Sequence, residues 1–217
     1  MLKSVFLLFL AWASTADAGP WPRGKGDAFI MTSLQVTAPN LEGPASYYFS
    51  NYLEYGLTDS FTFGADLGHS VSGESKSIAF LRHPLWQHNT THYFAAEIGL
   101  GQVAGNVVVR PGFSYGRGFS NGKTSSWLTV DLLFEHHLVK KHTDFKADIT
   151  YGLNHHGGFK SMIQIQTGKQ TGDPSFLRLA PSFALPMGAS SHLEIGGSIA
   201  LRGTDEYGLK VGFWKNF

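Results

Sequence analysis

Ten histidines and no cysteine define the reactive groups available to this 217-residue sequence. Without a thiol, disulfide scaffolds, thiolate zinc sites and lipid-modified cysteines are excluded. Nucleophilic chemistry then needs Ser or Thr beside a histidine that a third group orients. No His-x-Ser occurs: His69 and Ser70 are adjacent, so on a strand they point to opposite faces, and Ser190, Ser191 and His192 run in the reverse order at a turn. His136-His137 and His155-His156 diverge in the same way, with no third ligand at a set spacing, so neither a metal site nor a cofactor is expected. What the sequence does offer is a set of ionisable residues at alternate positions of apolar runs. The acids are Glu54, Asp66, Glu97, Asp131, Asp148 and Glu194, and the bases are Arg82, Arg110, Lys146, Lys160, Arg178 and Lys210. In a confined space such charges either pair and brace the structure, or line a narrow aqueous path and orient a polar or zwitterionic solute.

Holding those residues on one face requires strands. Twelve runs rich in Phe, Tyr, Val, Ile and Leu recur near 26–36, 46–57, 60–70, 76–86, 91–101, 106–116, 124–136, 144–153, 158–167, 175–186, 191–201 and 206–217, without a sustained helical period. In Phe61-Thr62-Phe63-Gly64-Ala65-Asp66-Leu67-Gly68 one parity is apolar, while the other carries Thr, Gly, Asp and Gly. The same split recurs in Leu128–Leu132, Phe145–Tyr151, Leu177–Leu179 and Leu193–Gly196, whereas neither parity is clean in the first and fourth runs. Gly56, Gly64, Gly68, Gly99, Gly101, Gly112, Gly116, Gly152, Gly196, Gly208 and Gly212 share the polar parity. Glycines and isolated charges cannot build the packed interior of a sandwich. The arrangement that fits is inverted, with the apolar parity against lipid and the polar parity in the lumen of a closed sheet that has no unpaired edge. Lumen-facing glycine implies open volume.

The expectation is therefore an all-β chain, a single closed antiparallel transmembrane β-barrel of 12 strands with short turns. Ten residues at about 3.4 Å each, tilted by roughly 45°, rise about 24 Å, which matches the apolar band of such barrels. Residues 1–18 read as a cleaved export signal, with Lys3 ahead of the apolar run Val5–Ala13 and small residues Ala16 and Ala18 at the cleavage site. Residues 19–217 are then the barrel. Its even strand number returns both termini to one side. A charge of +1 from 17 basic and 16 acidic residues offers no basic face, so no nucleic-acid partner is expected. The connections are all short, none long enough for a plug. Trp21, Trp86, Trp127 and Trp214, with Tyr47, Tyr48, Tyr93 and Phe94, fall near strand ends as an aromatic girdle, although parity turns Tyr48, Tyr52, Tyr93, Trp127 and Trp214 inward.

The chain ends Tyr207-Gly-Leu209-Lys-Val211-Gly-Phe213-Trp-Lys215-Asn-Phe217, apolar at alternate positions counted back from a terminal Phe, with Lys215 the departure. This resembles the C-terminal strand of bacterial outer-membrane β-barrel proteins. The resemblance implies that Tyr207, Leu209, Val211, Phe213 and Phe217 form the signal read by the barrel-insertion machinery, and that the protein resides in the bacterial outer membrane among its lipid and lipopolysaccharide, with both termini in the periplasm. Gly19–Gly26 and Leu53–Asp59 are similar to segments of small barrels described as transporters. The expected function is a small passive channel for polar or zwitterionic solutes through a lumen lined by opposed charges, without enzymatic activity. The alternatives are a non-conducting structural or interaction barrel with paired charges, and a lipid hydrolase.

Overall fold

Alternation of apolar and polar side chains favours extended backbone, and in the computed structural model twelve antiparallel strands follow one another around a closed barrel. The structure describes residues 19–40, 42–89, 91–121, 124–203 and 206–217. The segment 1–18, with Ala16 and Ala18, lies outside the described residues, as do residues 41, 90, 122–123 and 204–205 in the connections between strands. The strands are β1 (Ala28–Ala38), β2 (Ser46–Gly56), β3 (Thr62–Ser70), β4 (Ser75–His88), β5 (His92–Val103), β6 (Asn106–Ser120), β7 (Ser125–His137), β8 (His142–Asn154), β9 (Lys160–Lys169), β10 (Phe176–Pro186), β11 (Ser191–Arg202) and β12 (Tyr207–Asn216). Every strand pairs with its sequence neighbours. β1 and β12 close the cylinder from Phe29↔Asn216 to Ala38↔Tyr207, so every backbone edge is used.

The hairpin turns set the registers. Between β5 and β6, Ala104 (φ 46°) and Gly105 (φ 74°) are both left-handed, the two-residue turn whose twist matches antiparallel strands, and Val103 faces Asn106 directly. The mixed parity of the fourth run has a local cause. A bulge between Pro84 and Trp86 turns Trp86 to the outside of the barrel, opposite Phe94, whereas Ile78, Phe80 and Arg82 before it face inward.

Side chains then sort by face. Leu100, Phe113, Ile163, Phe183 and Val211 stand exposed around the outside, as a lipid-facing belt requires, and so do Tyr207, Leu209, Phe213 and Phe217 of the C-terminal strand. Trp86, Phe94 and Tyr115 form an external aromatic cluster, with centroids 5.4 and 4.7 Å apart. The interior is less purely polar than parity predicts. At the end bearing the termini, Phe29, Ala184 and Trp214 pack with Met31, Tyr52 and Met162 into an apolar floor. The expected girdle therefore loses members: Trp127 and Trp214 are buried inward, and Trp21 sits 6.0 Å from Tyr93.

Candidate functional site

The interior face carries all twelve ionisable residues singled out by alternation. Asp66, Arg82, Glu97, Arg110, Asp131, Lys146, Asp148, Glu194 and Lys210 line a deep cavity, and Arg178 lines the mouth above it. Glu54 is fully buried among partners, and Lys160 donates to Asn154 Oδ1 (2.7 Å) and stands over the Trp127 ring.

The wall formed by β2 to β6 is a continuous ion-pair chain of alternating sign. Arg23 Nε meets Glu54 Oε2 at 2.6 Å, and Glu54 Oε1 accepts from Arg82 Nη1 at 2.6 Å. Arg82 also donates to Glu97 Oε2 through Nη2 (2.8 Å) and Nε (3.2 Å), to Tyr52 Oη (3.0 Å) and to the Gly19 carbonyl (2.8 Å). Beyond Glu97, Arg110 reaches Asp66 (2.6 Å), which also holds Lys76 (2.8 Å). An arginine suits each node because its rigid fork serves two carboxylates at once. Strand pairing makes the chain possible, because Arg82 and Glu97 are direct cross-strand partners on the same face. Phe80 lies beneath both arginines, 5.1 and 5.7 Å from the guanidinium carbons, and supplies a ring face that needs no hydrogen bond.

The opposite wall is sparser. Lys146 pairs with Asp148 (3.0 Å) and Lys210 with Glu194 (2.9 Å), separated by Thr150, Gln164, Gln166 and Ser182. These pairs are unequal in exposure: the Lys146 side chain is 47% exposed against 16% for Asp148, and Lys210 29% against 4% for Glu194. Trp214 Nε1 and Lys210 together cover the Glu194 carboxylate. In both pairs the lysine is the more exposed partner.

Two cavities run through the lumen. One of about 570 Å³ opens at the end away from the termini, and one of about 360 Å³ lies deeper. They adjoin at Gln35, Tyr48, Lys76, Lys146 and Gln166, which line both, and the deeper one reaches the apolar floor.

Residues 19–27, which precede β1 and are none of the connections between strands, are the feature that strand patterning missed. Pro20 is fully buried, the Gly19 carbonyl is bound by Arg82, and the Arg23 amide donates to Thr62 Oγ1 (3.1 Å) while its side chain holds Glu54. This strap crosses the terminal end of the lumen. Its signal was present in the sequence, in a Trp between two prolines followed by a base, ahead of a strand region with an acid at Glu54.

The lumen glycines also act differently from the expectation of open volume. A Cβ on Gly64 would fall within the Phe80 ring, one on Gly68 against the Tyr48 hydroxyl, one on Gly152 within the Trp127 ring, and one on Gly116 against Pro20. The space they leave is filled by their neighbours. Gly152→Ala should accordingly cost about 1–3 kcal/mol of unfolding free energy by overpacking. Gly197→Ala, where the nearest atom would be 3.7 Å from the new Cβ, should cost little. Urea titration of the two refolded variants compares them directly, and equal midpoints would contradict the packing role.

The histidines separate as strand geometry requires. His69 lies on the outside of β3, and Ser70 faces inward, bonded to Ser72. His192 Nε2 is 3.0 Å from the Gly158 carbonyl, and His136 meets Thr143 outside. One serine–histidine contact that sequence spacing did not indicate is His155 Nε2 to Ser161 Oγ (2.8 Å), exposed and with no carboxylate to orient it among the described residues.

No family model and no curated protein matches the sequence. Among solved structures, the KdgM porin aligns over 87% of this chain and 99% of its own, with a TM-score of 0.64 and 10% identity. An outer membrane channel from Pseudomonas putida F1 aligns over 93% of this chain and 99% of its own, at 0.57 and 12%. The chain has the fold of a bacterial outer-membrane β-barrel. That fold accounts for the outward apolar belt and inward charge as one arrangement, with lipid outside and water within.

Proposed function

We propose that this barrel is a small passive outer-membrane channel for polar or zwitterionic solutes, with both termini in the periplasm and a preference for solutes bearing a carboxylate or other anionic group. The observation that carries this reading is the lumenal cavity in which Lys146 and Lys210 are more exposed than the carboxylates they pair with. A passing anion meets cations whose charge is balanced from behind, so it is attracted without being trapped, as conduction requires. The KdgM porin, whose structure is also known in complex with disordered oligogalacturonate, supports the reading by its shared architecture. Outside, Tyr207 to Phe217 present alternate apolar side chains to lipid and lipopolysaccharide and would be read by the insertion machinery.

Planar-bilayer recording tests the selectivity. Under a salt gradient the reversal potential of the wild-type protein should indicate anion preference, and Lys146→Gln with Lys210→Gln should move it toward zero or reverse it. A potential unchanged by both substitutions would remove these lysines from the path. A second reading, a barrel kept closed, is favoured by the strap, with Pro20 buried and Gly19 fixed by Arg82. It predicts no current until the strap is released.

A further inference from the structure

We propose that the outer mouth of the barrel carries a binding site for a borderline divalent transition-metal ion of the Zn²⁺ type, formed by His137, His142 and Asp144. Sequence spacing gives no hint of it, because the ligands come from two strands joined by a turn. His137 on β7 and His142 on β8 are direct cross-strand partners facing inward, and Asp144 is two residues further along the same face. One donor atom from each lies within 4.8 Å of the other two.

The contacts favour a shared cation over a simple hydrogen bond. Asp144 Oδ2 is 3.2 Å from His137 Nε2, and its Oδ1 is 3.8 Å from His142 Nε2. Bonds of about 2.0–2.2 Å to a tetrahedral ion place neighbouring donors about 3.3–3.6 Å apart, which lies between the two observed values. A proton bridges only the shorter contact, since 3.8 Å is too long for a hydrogen bond. The two imidazoles stack with centroids 4.2 Å apart, so both present a ring edge to the same carboxylate. That carboxylate is oriented by the Thr171 amide N–H, which donates to Oδ1 at 2.7 Å, the kind of outer contact that fixes a metal ligand.

The second observation is His137 itself. It is 4% exposed, and its Nδ1 has no hydrogen-bond partner among the described residues. Its one polar contact, 3.2 Å from Nε2 to the Asp144 carboxylate, is at the nitrogen that faces the proposed ion, so a metal bond there would strengthen the hold on a buried imidazole. All three residues line the 570 Å³ cavity, so a fourth coordination position opens to water or solute. Two imidazoles and one carboxylate suit Zn²⁺, Ni²⁺ or Cu²⁺ and are too poor in oxygen for Mg²⁺ or Ca²⁺. Glu135, Lys140 and Lys146 line the same cavity, so the local charge around the site is mixed.

The test is calorimetric titration of the refolded, untagged full chain in detergent with Zn²⁺, using Mg²⁺ as the control. The expected result is one Zn²⁺ per chain, undisturbed by Mg²⁺, and weakened by at least about tenfold in His137→Gln/His142→Gln. His155→Gln/His156→Gln should retain the wild-type isotherm. No binding by the wild type, or an unchanged isotherm in the His137/His142 variant, overturns the site. If that variant does not refold, diethyl pyrocarbonate labelling of the wild type mapped by mass spectrometry replaces it. Zn²⁺ should protect His142 selectively over His155 and His156, and protection spread evenly over these histidines also overturns the proposal.

Discussion

Arg82→Met should lower the unfolding free energy of the refolded barrel by about 3–5 kcal/mol, the usual cost of removing one partner from a buried ion pair. The size follows from what Arg82 leaves behind. Glu54 is fully buried and Glu97 nearly so, and both direct oxygens at the same guanidinium. Methionine keeps much of the side-chain volume over Phe80 but offers no donor, so two buried carboxylates would face each other with their shared donor gone. Arg23 and Arg110 would still hold the far oxygens, which places the effect in this range rather than at the tens of kcal/mol of an isolated buried charge. Urea-induced unfolding in detergent or lipid, followed by tryptophan fluorescence and heat-modifiable migration, measures it. The triple variant Arg82→Met/Glu54→Gln/Glu97→Gln should recover a substantial part, because buried charge rather than lost volume is the cause. A loss below about 1 kcal/mol for Arg82→Met would show the chain to be ornamental to stability.

Removing the strap should change conduction more than stability. In a variant lacking residues 20–25, the terminal end of the lumen loses Pro20, Trp21 and the Arg23 guanidinium, while the apolar floor around Phe29 and Trp214 stays in place. Single-channel conductance should rise at least about twofold, because current through a short pore grows with its narrowest cross-section. If the wild type is closed, current should appear where there was none. Unaltered conductance would mean that ions already pass beside the strap and that its role is to cap Glu54. Glu54→Gln separates these outcomes, since it removes the charge that Arg23 holds while leaving Pro20 in place. Conductance raised by the deletion alone identifies steric closure, and conductance raised by both identifies the ion pair as the latch.

Most of the frame was legible along the chain. Twelve runs overlap the twelve strands, and β6 is the main departure, continuing to Ser120 rather than 116. The face of each charged residue followed from parity wherever a strand was regular, as at Asp66, Glu97 and Asp148. β4 was illegible because the bulge at Pro84/Trp86 breaks the alternation, and because Ile78 and Phe80, apolar residues, point inward to cover the arginines. β1 misled for a similar reason, with Phe29 and Met31 belonging to the apolar floor.

The candidate site was legible as a list of residues and illegible as a constellation. Period-two patterning reports which face a side chain occupies, because successive side chains on an extended chain alternate by geometry alone. It says nothing about which residues on that face meet across strands, which depends on register, twist and the curvature of closure. Arg82 and Glu97, or His137 and His142, become neighbours only when hairpins are paired and the sheet is rolled. Glycine shows the limit most directly. Its place on the inner face was readable at Gly64 and Gly152, yet whether it opened space or received a neighbour was decided by the Phe80 and Trp127 rings across the strand. By itself, then, the sequence determined a lipid-facing barrel with charge turned inward, since burial in lipid acts on each residue separately. Only the tertiary structure decided that the charges lock one wall, leave lysines exposed on the other and draw residues 19–27 across the end, since those outcomes rest on contacts between residues far apart in the chain.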